Sequence, residues 1–465
     1  MPRRFQRDRR WLLQALCASA AVTGCSLFAR PPLEKPPRWF HPSGPRPPVI
    51  FIHGAFGSRL KNRATGSEIW PSGLGDLVLS RFDALALPLD PETGEAAPDD
   101  VEAVELFEDA GAVEFYGSLV TMLVKAGGYR RETPGTPVDD DVPRLYACIY
   151  DWRRDMSQAA GELDRLIEQV RADHGRPDLK VDVVAHSSGG LITRYYLLHG
   201  GRTLGELHGT APDFAGAAKV NRVVAIGTPE LGMTRAAAAL ALGEPIVLNR
   251  IRPEILATAE SGFQLLPHGD DVWLVDAAGR PIEADSCDIE VWRRYKMGVF
   301  DHPVRERVRD AAGGGRAGRA RLGLLERGFA LRLAQARRFR DAIRAAPVPA
   351  QVAYSSIGGD CRPTQARMLI EQTAGSPHPR IRPEEVDRPL PSLDYARLMF
   401  DDGDGMVTRA SAACEPSWPS SRAPVPAVAG SWRARDFVCA SHNQLVVNAD
   451  CQRALLRALA QDMSA

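Results

Sequence analysis

The chain has 465 residues, 44% hydrophobic and 25% charged, and its 58 basic and 58 acidic side chains leave a formal net charge of zero. That length exceeds what one small core needs and fits two or three domains, or one large α/β domain with insertions. The charge balance gives no global reason to expect nucleic acid or strongly acidic partners.

The first 25 residues differ from the rest. Arg3, Arg4, Arg7, Arg9 and Arg10 precede WLLQALCASAAV, an apolar stretch too short to span a bilayer. A basic start and an apolar run read as the n- and h-regions of a secretory signal. VTGCS follows and resembles the lipobox of bacterial lipoproteins, with Cys25 as the lipidated residue; DRRWLLQ loosely resembles a twin-arginine export signal. The expected address is the bacterial cell envelope, periplasm or outer membrane, with a membrane contact through lipid on Cys25. If Cys17 leaves with the signal and Cys25 carries lipid, Cys148, Cys287, Cys361, Cys414, Cys439 and Cys451 remain. An oxidising compartment permits disulfides among them, and their connectivity stays open. No Cys/His spacing suits zinc, so neither a metal nor a cofactor is expected.

Residues 26–48 are rich in Pro and Arg and read as a tether. VIFIHG (49–54) is a continuous apolar run, as a buried parallel strand would be. Residues 58–112 are loop-rich and read as a lid-like insertion. FYGSLVTMLVKAGGY (115–129) has helical spacing stopped by two glycines. RLYACIYDW (144–152), VDVVAHS and VNRVVAIGTP read as strands, AAGELDRLIEQVRADHG and LITRYYLLHGG as helices. Alternating β and α units predict a mostly parallel sheet covered on both faces. The pattern breaks at 231–348, which reads as a cap insertion with a hairpin-like WLVDAAGRPI and a low-complexity loop, AAGGGRAGRA. The basic stretch 305–344 keeps Leu322, Leu325, Phe329, Phe339 and Ile343 at helical spacing. It reads as an Arg-solvated helix packed on the core in preference to a membrane-surface helix. Strand character resumes at AQVAYSSIGG (350–359) and RDFVCAS (435–441), so 349–465 is expected to complete the core that begins at 49–230.

VVAHSSGGL (183–191) holds two candidate nucleophiles. A serine lifted from the sheet on a tight strand-to-helix turn needs small residues two before and two after it. Ser187 has Ala185 and Gly189 there, whereas Ser188 has His186 and Gly190, so Ser187 is the expected nucleophile. A serine needs a base, usually a His oriented by a carboxylate, in the chain order Ser, acid, His. Asp404, in a Gly-Asp-Gly turn, is the expected acid, with Asp401 and Asp402 competing and DDGD superficially like a calcium loop. His442, after the last strand, is the expected base. The N–H groups of Ser188 and of Ala55, in HGAFGS (53–58), would bind the tetrahedral oxyanion. His53 is expected to stiffen that loop.

VIFIHGAFGS, IWP (69–71), YDWR (150–153), AHSSGG (185–190), AIGTPELG (225–232), FQLLP (263–267), GDGMV (403–407) and the late His442 together resemble the lecithin:cholesterol acyltransferase-like family of α/β-hydrolases, bacterial branch. The resemblance implies an α/β-hydrolase fold with a lid over an acyl groove, a Ser187–Asp404–His442 triad, and no metal for chemistry. Phe56 and Trp70 would contact substrate, although a Trp before Pro also reads as a loop anchor. Trp152 and Arg153 are expected to be structural supports of the elbow. Ala185 for Gly, Ser188 for an apolar residue, His53 for Pro and Met406 for Thr depart from the family pattern without removing a catalytic group. The expected function is a serine hydrolase or O-acyltransferase acting on a lipid-like ester. The competing readings are a carboxylesterase or polyester depolymerase, and a catalytically silent lipid-binding lipoprotein.

Overall fold

The computed structural model describes residues 33–40, 46–71, 81–110, 113–246, 249–268, 272–415 and 432–460. The signal, its Cys25 and much of the 26–48 tether lie outside the described residues.

Among the described residues, seven strands form one parallel sheet, in the spatial order Arg130–Arg131, Arg144–Cys148, Val49–Ile52, Val181–His186, Val220–Ile226, Ala353–Gly359, Trp432–Val438. The central runs VIFI and VDVVA are buried throughout, Asp182 included, because both faces are covered. Successive residues nonetheless serve different cores. Ile50, Ile52, Val183 and Ala185 pack with Leu163, Ile167 and Tyr195 from helices Met156–Asp173 and Ser188–His199. Val49, Phe51, Val184 and Val224 pack with Leu119, Leu123 and Leu455 from helices Gly117–Lys125 and Ala449–Ala460. This is the alternation a strand imposes on its side chains. The chain enters the sheet at Val49–Ile52, crosses to the edge strand Arg130–Arg131, steps back to Arg144–Cys148, then passes to Val181–His186 on the other side of Val49–Ile52. Strand order reverses there, and such a reversal opens a crevice at the carboxyl ends of the strands. The parallel sheet, its two helical layers and the strand-to-helix turn at residue 187 make an α/β-hydrolase fold.

The cap segment builds its own core of Phe263, Trp273, Trp292, Phe300 and Phe329. Two expectations change here. Residues 349–465 are not all core: Met368–Thr373 pairs with Leu274–Asp276 and with Ser376–Arg380, and Met368 and Ile370 join the cap cluster. The apolar MLI run is the central strand of a small three-stranded sheet, one edge of which, Leu274–Asp276, comes from the cap segment, so sequence proximity to the core misled. AAGGGRAGRA is not a loop throughout. Gly313 and Gly314 turn the chain at positive φ, and Gly315–Ile343 is one helix. Arg and Ala favour helix, and a side chain at 318 would collide with the Arg309 carbonyl at 2.8 Å, so Gly318 lets two helices touch. The five apolar residues of the basic stretch are all buried, with Phe339 stacked on Tyr195 at 5.5 Å, so this helix packs inward.

Residues 58–112 carry more order than their loop-rich sequence suggests. Ser58–Asn62 is flanked by Glu68–Trp70 and Val101–Leu106 in an antiparallel sheet. This segment also meets the cap, where Leu87 N–H donates to Thr258 Oγ1 at 2.9 Å. Cys361 and Cys439 form a disulfide, while Cys148, Cys287, Cys414 and Cys451 are buried thiols. Among the described residues, no helix is long and apolar enough to cross a membrane.

Candidate active site

Ser187 sits between strand Val181–His186 and helix Ser188–His199 with φ 55° and ψ −125°. A non-glycine residue in that region is strained and must be held by its surroundings. Its N–H donates to the Ile226 carbonyl at 2.8 Å, and its carbonyl accepts from Gly190 N–H at 3.0 Å. The neighbours leave no room. A Cβ on Gly189 would lie 2.6 Å from the Ile52 oxygen, and one on Gly54 would lie 2.7 Å from the Ser187 Cβ. Ser188 is instead the first residue of the helix. The small positions two before and two after Ser187 are thus a consequence of strand, helix and loop meeting at one point.

His442 Nε2 stands 3.0 Å from Ser187 Oγ, and its Nδ1 stands 2.7 Å from Asp404 Oδ2. All three side chains are buried. The other carboxylate oxygen of Asp404 accepts from the N–H groups of Met406 (2.9 Å) and Val407 (2.7 Å), and the His442 N–H donates to the Asp404 carbonyl at 2.8 Å. These bonds fix the rotamer of the acid and the start of the short helix His442–Leu445 together. Gly359 and Gly227 make the space: a Cβ on Gly359 would meet Asp404 Cβ at 2.6 Å, and one on Gly227 would meet His442 Cε1 at 3.1 Å. The competing acids point elsewhere, since Asp401 pairs with Arg367 at 2.6 Å and Asp402 is exposed. Among the described residues, no group of three or more His, Cys, Asp and Glu side chains forms a metal-binding set.

The loop after Val49–Ile52 lies against Ser187, and among the described residues the N–H groups of Ala55 and Ser188 donate to no protein acceptor. His53 is fully buried, its Nδ1 lies 2.8 Å from the Gly54 carbonyl, and its ring stacks on Tyr150 at 4.1 Å. Burial pushes this imidazole down to about 4, so it is neutral at pH 7. Tyr150 in turn donates to the His53 carbonyl at 2.6 Å. Sequence reasoning missed a second support. Gly54 N–H donates to the Tyr116 hydroxyl at 3.1 Å, which lies 2.9 Å from His186 Nδ1. The Tyr116 hydroxyl then donates a hydrogen bond to His186 Nδ1, whose ring stays neutral because its charge is disfavoured by burial and by His442 alongside. The only sequence signal was a His inside the apolar strand VVAHS, because Gly54, Tyr116 and His186 meet only in three dimensions.

Phe56 and Trp70 are in contact, with ring centroids 5.1 Å apart and Trp70 Nε1 donating to the Phe56 carbonyl at 3.0 Å. Trp152 and Phe82 complete the cluster, and Trp70 is 4% exposed. Trp70 therefore anchors the loop that holds Ala55, with half-buried Phe56 packed against it. The YDWR segment supports that loop and the cap more than the elbow. The Tyr150 carbonyl accepts from Ser58 Oγ (2.8 Å), Trp152 Nε1 donates to the Ser58 carbonyl (3.3 Å), and the Arg153 carbonyl accepts from Glu260 N–H (2.7 Å). Buried Arg153 also pairs with Asp99 and Asp151. On the helix after the elbow, buried Arg194 pairs with Glu230 at 2.9 Å, and Glu230 accepts from the Tyr354 hydroxyl at 2.7 Å. That network also escaped the sequence.

Residues 89–297 match the family described as Lecithin:cholesterol acyltransferase, and the chain is an enzyme of the ester hydrolase/acyltransferase type. The matched span holds Ser187 and YDWR but not Ala55, Asp404 or His442. No curated protein matches the chain. Its fold is similar to that of a chain in the crystal structure of a Tle4–Tli4 complex, at 16% identity and a TM-score of 0.56, over 89% of this chain and 98% of that one. Weaker likenesses are a lipase from Bacillus licheniformis (12% identity, TM-score 0.34, 93% and 97% covered) and EstA from Clostridium botulinum (12%, 0.36, 96% and 98%).

Proposed function

We propose that the chain cleaves or transfers the acyl group of a lipid-like ester through Ser187, His442 and Asp404. The observation that carries this reading is His442 held between Asp404 at 2.7 Å and Ser187 Oγ at 3.0 Å. A serine hydroxyl becomes a competent nucleophile only with such a base. The Nδ1–H donates to Asp404, which leaves Nε2 free to accept the serine proton. Ser187 Oγ attacks the ester carbonyl carbon as its proton passes to His442 Nε2. The carbonyl oxygen becomes an oxyanion, bound by the N–H groups of Ala55 and Ser188. The tetrahedral species collapses, the bond to the leaving alcohol breaks, and His442 returns the proton to that oxygen. Water or an acceptor alcohol then attacks the acyl–Ser187 ester by the same steps and frees the serine. The lipid half of the reading is supported by the family match and by the cap above the sheet, which would exclude water from an acyl chain.

An exported, lipid-anchored location through Cys25 is part of the same proposal. It is supported by the basic-apolar-VTGCS start and is compatible with the Cys361–Cys439 disulfide. Globomycin-sensitive processing tests it; processing unaffected by the drug removes the anchor. The catalytic reading is tested by treating the protein lacking residues 1–25 with a fluorophosphonate and mapping the adduct. Labelling of Ser187, retained in Ser188→Ala and lost in Ser187→Ala, is expected. Well-folded protein that takes no label would sink the proposal. Acyl preference that is flat from acetate to long chains would remove its lipid half.

A further inference from the structure

Residues 33–40 lie against the core and are not a free tether. Leu33 packs on the layer built by helices Gly117–Lys125 and Ala449–Ala460, and its N–H donates to Gln452 Oε1 at 3.1 Å. Phe40 is buried beside Arg46, whose guanidinium lies 5.7 Å from that ring and 4.5 Å from the Tyr129 ring and donates to the Gly127 carbonyl. Phe40 thus does the anchoring, and its neighbour turns outward. Trp39 is 45% exposed, the only aromatic among the large apolar side chains left exposed in the described residues. Arg457 stands 5.7 Å from its ring, and Lys35, Arg38, Arg453 and Arg457 are all exposed. The acids of this face are already taken, Glu34 by Lys125 and Asp450 by Arg453. Among the described residues, Arg38 and Arg457 meet no carboxylate.

This face lies at the far end of the sheet from the serine. Arg46 precedes the amino end of strand Val49–Ile52, whereas Ala55 and Ser187 follow the carboxyl ends of their strands. Helix Gly117–Lys125 spans the distance: Tyr116 before its start accepts from Gly54 N–H, and Gly127 after its end holds Arg46. Cys25 is eight residues before Leu33, a reach of at most about 30 Å. We propose that Trp39, with Lys35, Arg38 and Arg457, docks this face on the surface of an anionic lipid bilayer, so that the catalytic end of the sheet points away from it. An indole settles at the headgroup level of a bilayer, and each Lys or Arg near an anionic surface adds an attraction that salt weakens. The whole chain has no net charge, so the attraction is local to this face. A lipid-like ester then reaches Ser187 from the side away from the bilayer.

The inference extends the anchor reading, because lipid on Cys25 would lie within that reach, and it is tested without the lipid. The protein lacking residues 1–25 is mixed with vesicles of phosphatidylglycerol or phosphatidylcholine carrying brominated chains. Binding to phosphatidylglycerol should be about tenfold stronger or more and should weaken with salt. Tryptophan quenching by bromine should be lost in Trp39→Phe. Arg38→Gln/Arg457→Gln should weaken binding about tenfold. A soluble short-chain ester should be cleaved equally fast on and off the vesicles, because the catalytic end stays in water. No binding, or binding that is unchanged in the double variant, overturns the docking face. Capture of polyglutamate as tight as that of vesicles, with no quenching, would make the partner an acidic polymer and also overturns it. Ester cleavage blocked on the vesicles would put Ser187 against the bilayer and overturn the orientation. If no ester is cleaved even in free solution, the catalytic reading fails alone, and quenching still decides the docking. If globomycin leaves processing unaffected while the vesicles bind, the anchor alone fails.

Discussion

The two halves of the site are held in different ways. Ser187 and the Ala55 loop follow adjacent central strands, Val181–His186 and Val49–Ile52, whose register is set by a parallel ladder and by apolar packing on both faces. Asp404 and His442 come from segments beyond the cap. Asp404 follows the short strand Phe400–Gly403, whose ladder partner among the described residues is Arg362–Gln365, and His442 follows the edge strand Trp432–Val438. The Cys361–Cys439 disulfide joins the approach to Arg362–Gln365 to the end of that edge strand. A sheet centre needs no staple, because its neighbours on both sides already fix it. A sheet edge does, since only one side constrains it.

The comparison can be broken or sharpened. Ser187→Ala should lower kcat by about a millionfold, as losing a nucleophile does where the triad acts as a unit; Ser188→Ala, which keeps its N–H, should stay within tenfold. An equal loss in both would refute the choice of serine. Asp404→Asn should leave the fold intact and lower kcat by about ten thousandfold through the wrong imidazole tautomer, whereas Asp401→Asn should not; steady-state kinetics on one short-chain ester decides. Gly54→Ala would push a Cβ into Ser187, and displacing one oxyanion donor should reduce kcat by about a hundredfold or more with little change in KM.

The staple tests the other half. Cys361→Ser/Cys439→Ser should cost about 2–5 kcal/mol in urea unfolding. In the folded variant, kcat should fall while fluorescence of the central core is unchanged, because the edge that carries His442 loosens first. Full activity with only lowered stability would mean that the disulfide serves the fold and not the site. The smallest effect concerns pH. His53 has a folded value of about 4 against an ordinary 6.5, so the unfolded chain binds the extra proton between those values. Stability contributed by this neutral imidazole is present above 6.5 and is lost as pH falls toward 4. Buried His186 and His268 shift in the same direction. Unfolding midpoints at pH 7 and pH 5 should differ accordingly, and a flat profile would contradict the burial of these rings.

Much of this was legible in the residues. The runs VIFI and VDVVA, the small positions around Ser187 and the Gly-Asp-Gly turn each state a local requirement, and local requirements are written in adjacent residues. The cap boundary was not legible, because Met368–Thr373 finds its partner Leu274–Asp276 far upstream. Nor was the helix hidden in AAGGGRAGRA, where composition suggested a loop and contact between two helices at Gly318 settled the matter.

The sequence by itself determined the strand-and-helix order, the identity of the candidate nucleophile, acid and base, and the need for a tight turn at residue 187. Only the tertiary structure decided which cysteines pair, that Asp401 belongs to Arg367, that Tyr116 and His186 brace the loop of Ala55, and that Trp39 stands beside Arg457. The first group depends on backbone geometry over a few residues. The second depends on side chains brought together by sheet order and cap packing, which no spacing along the chain encodes.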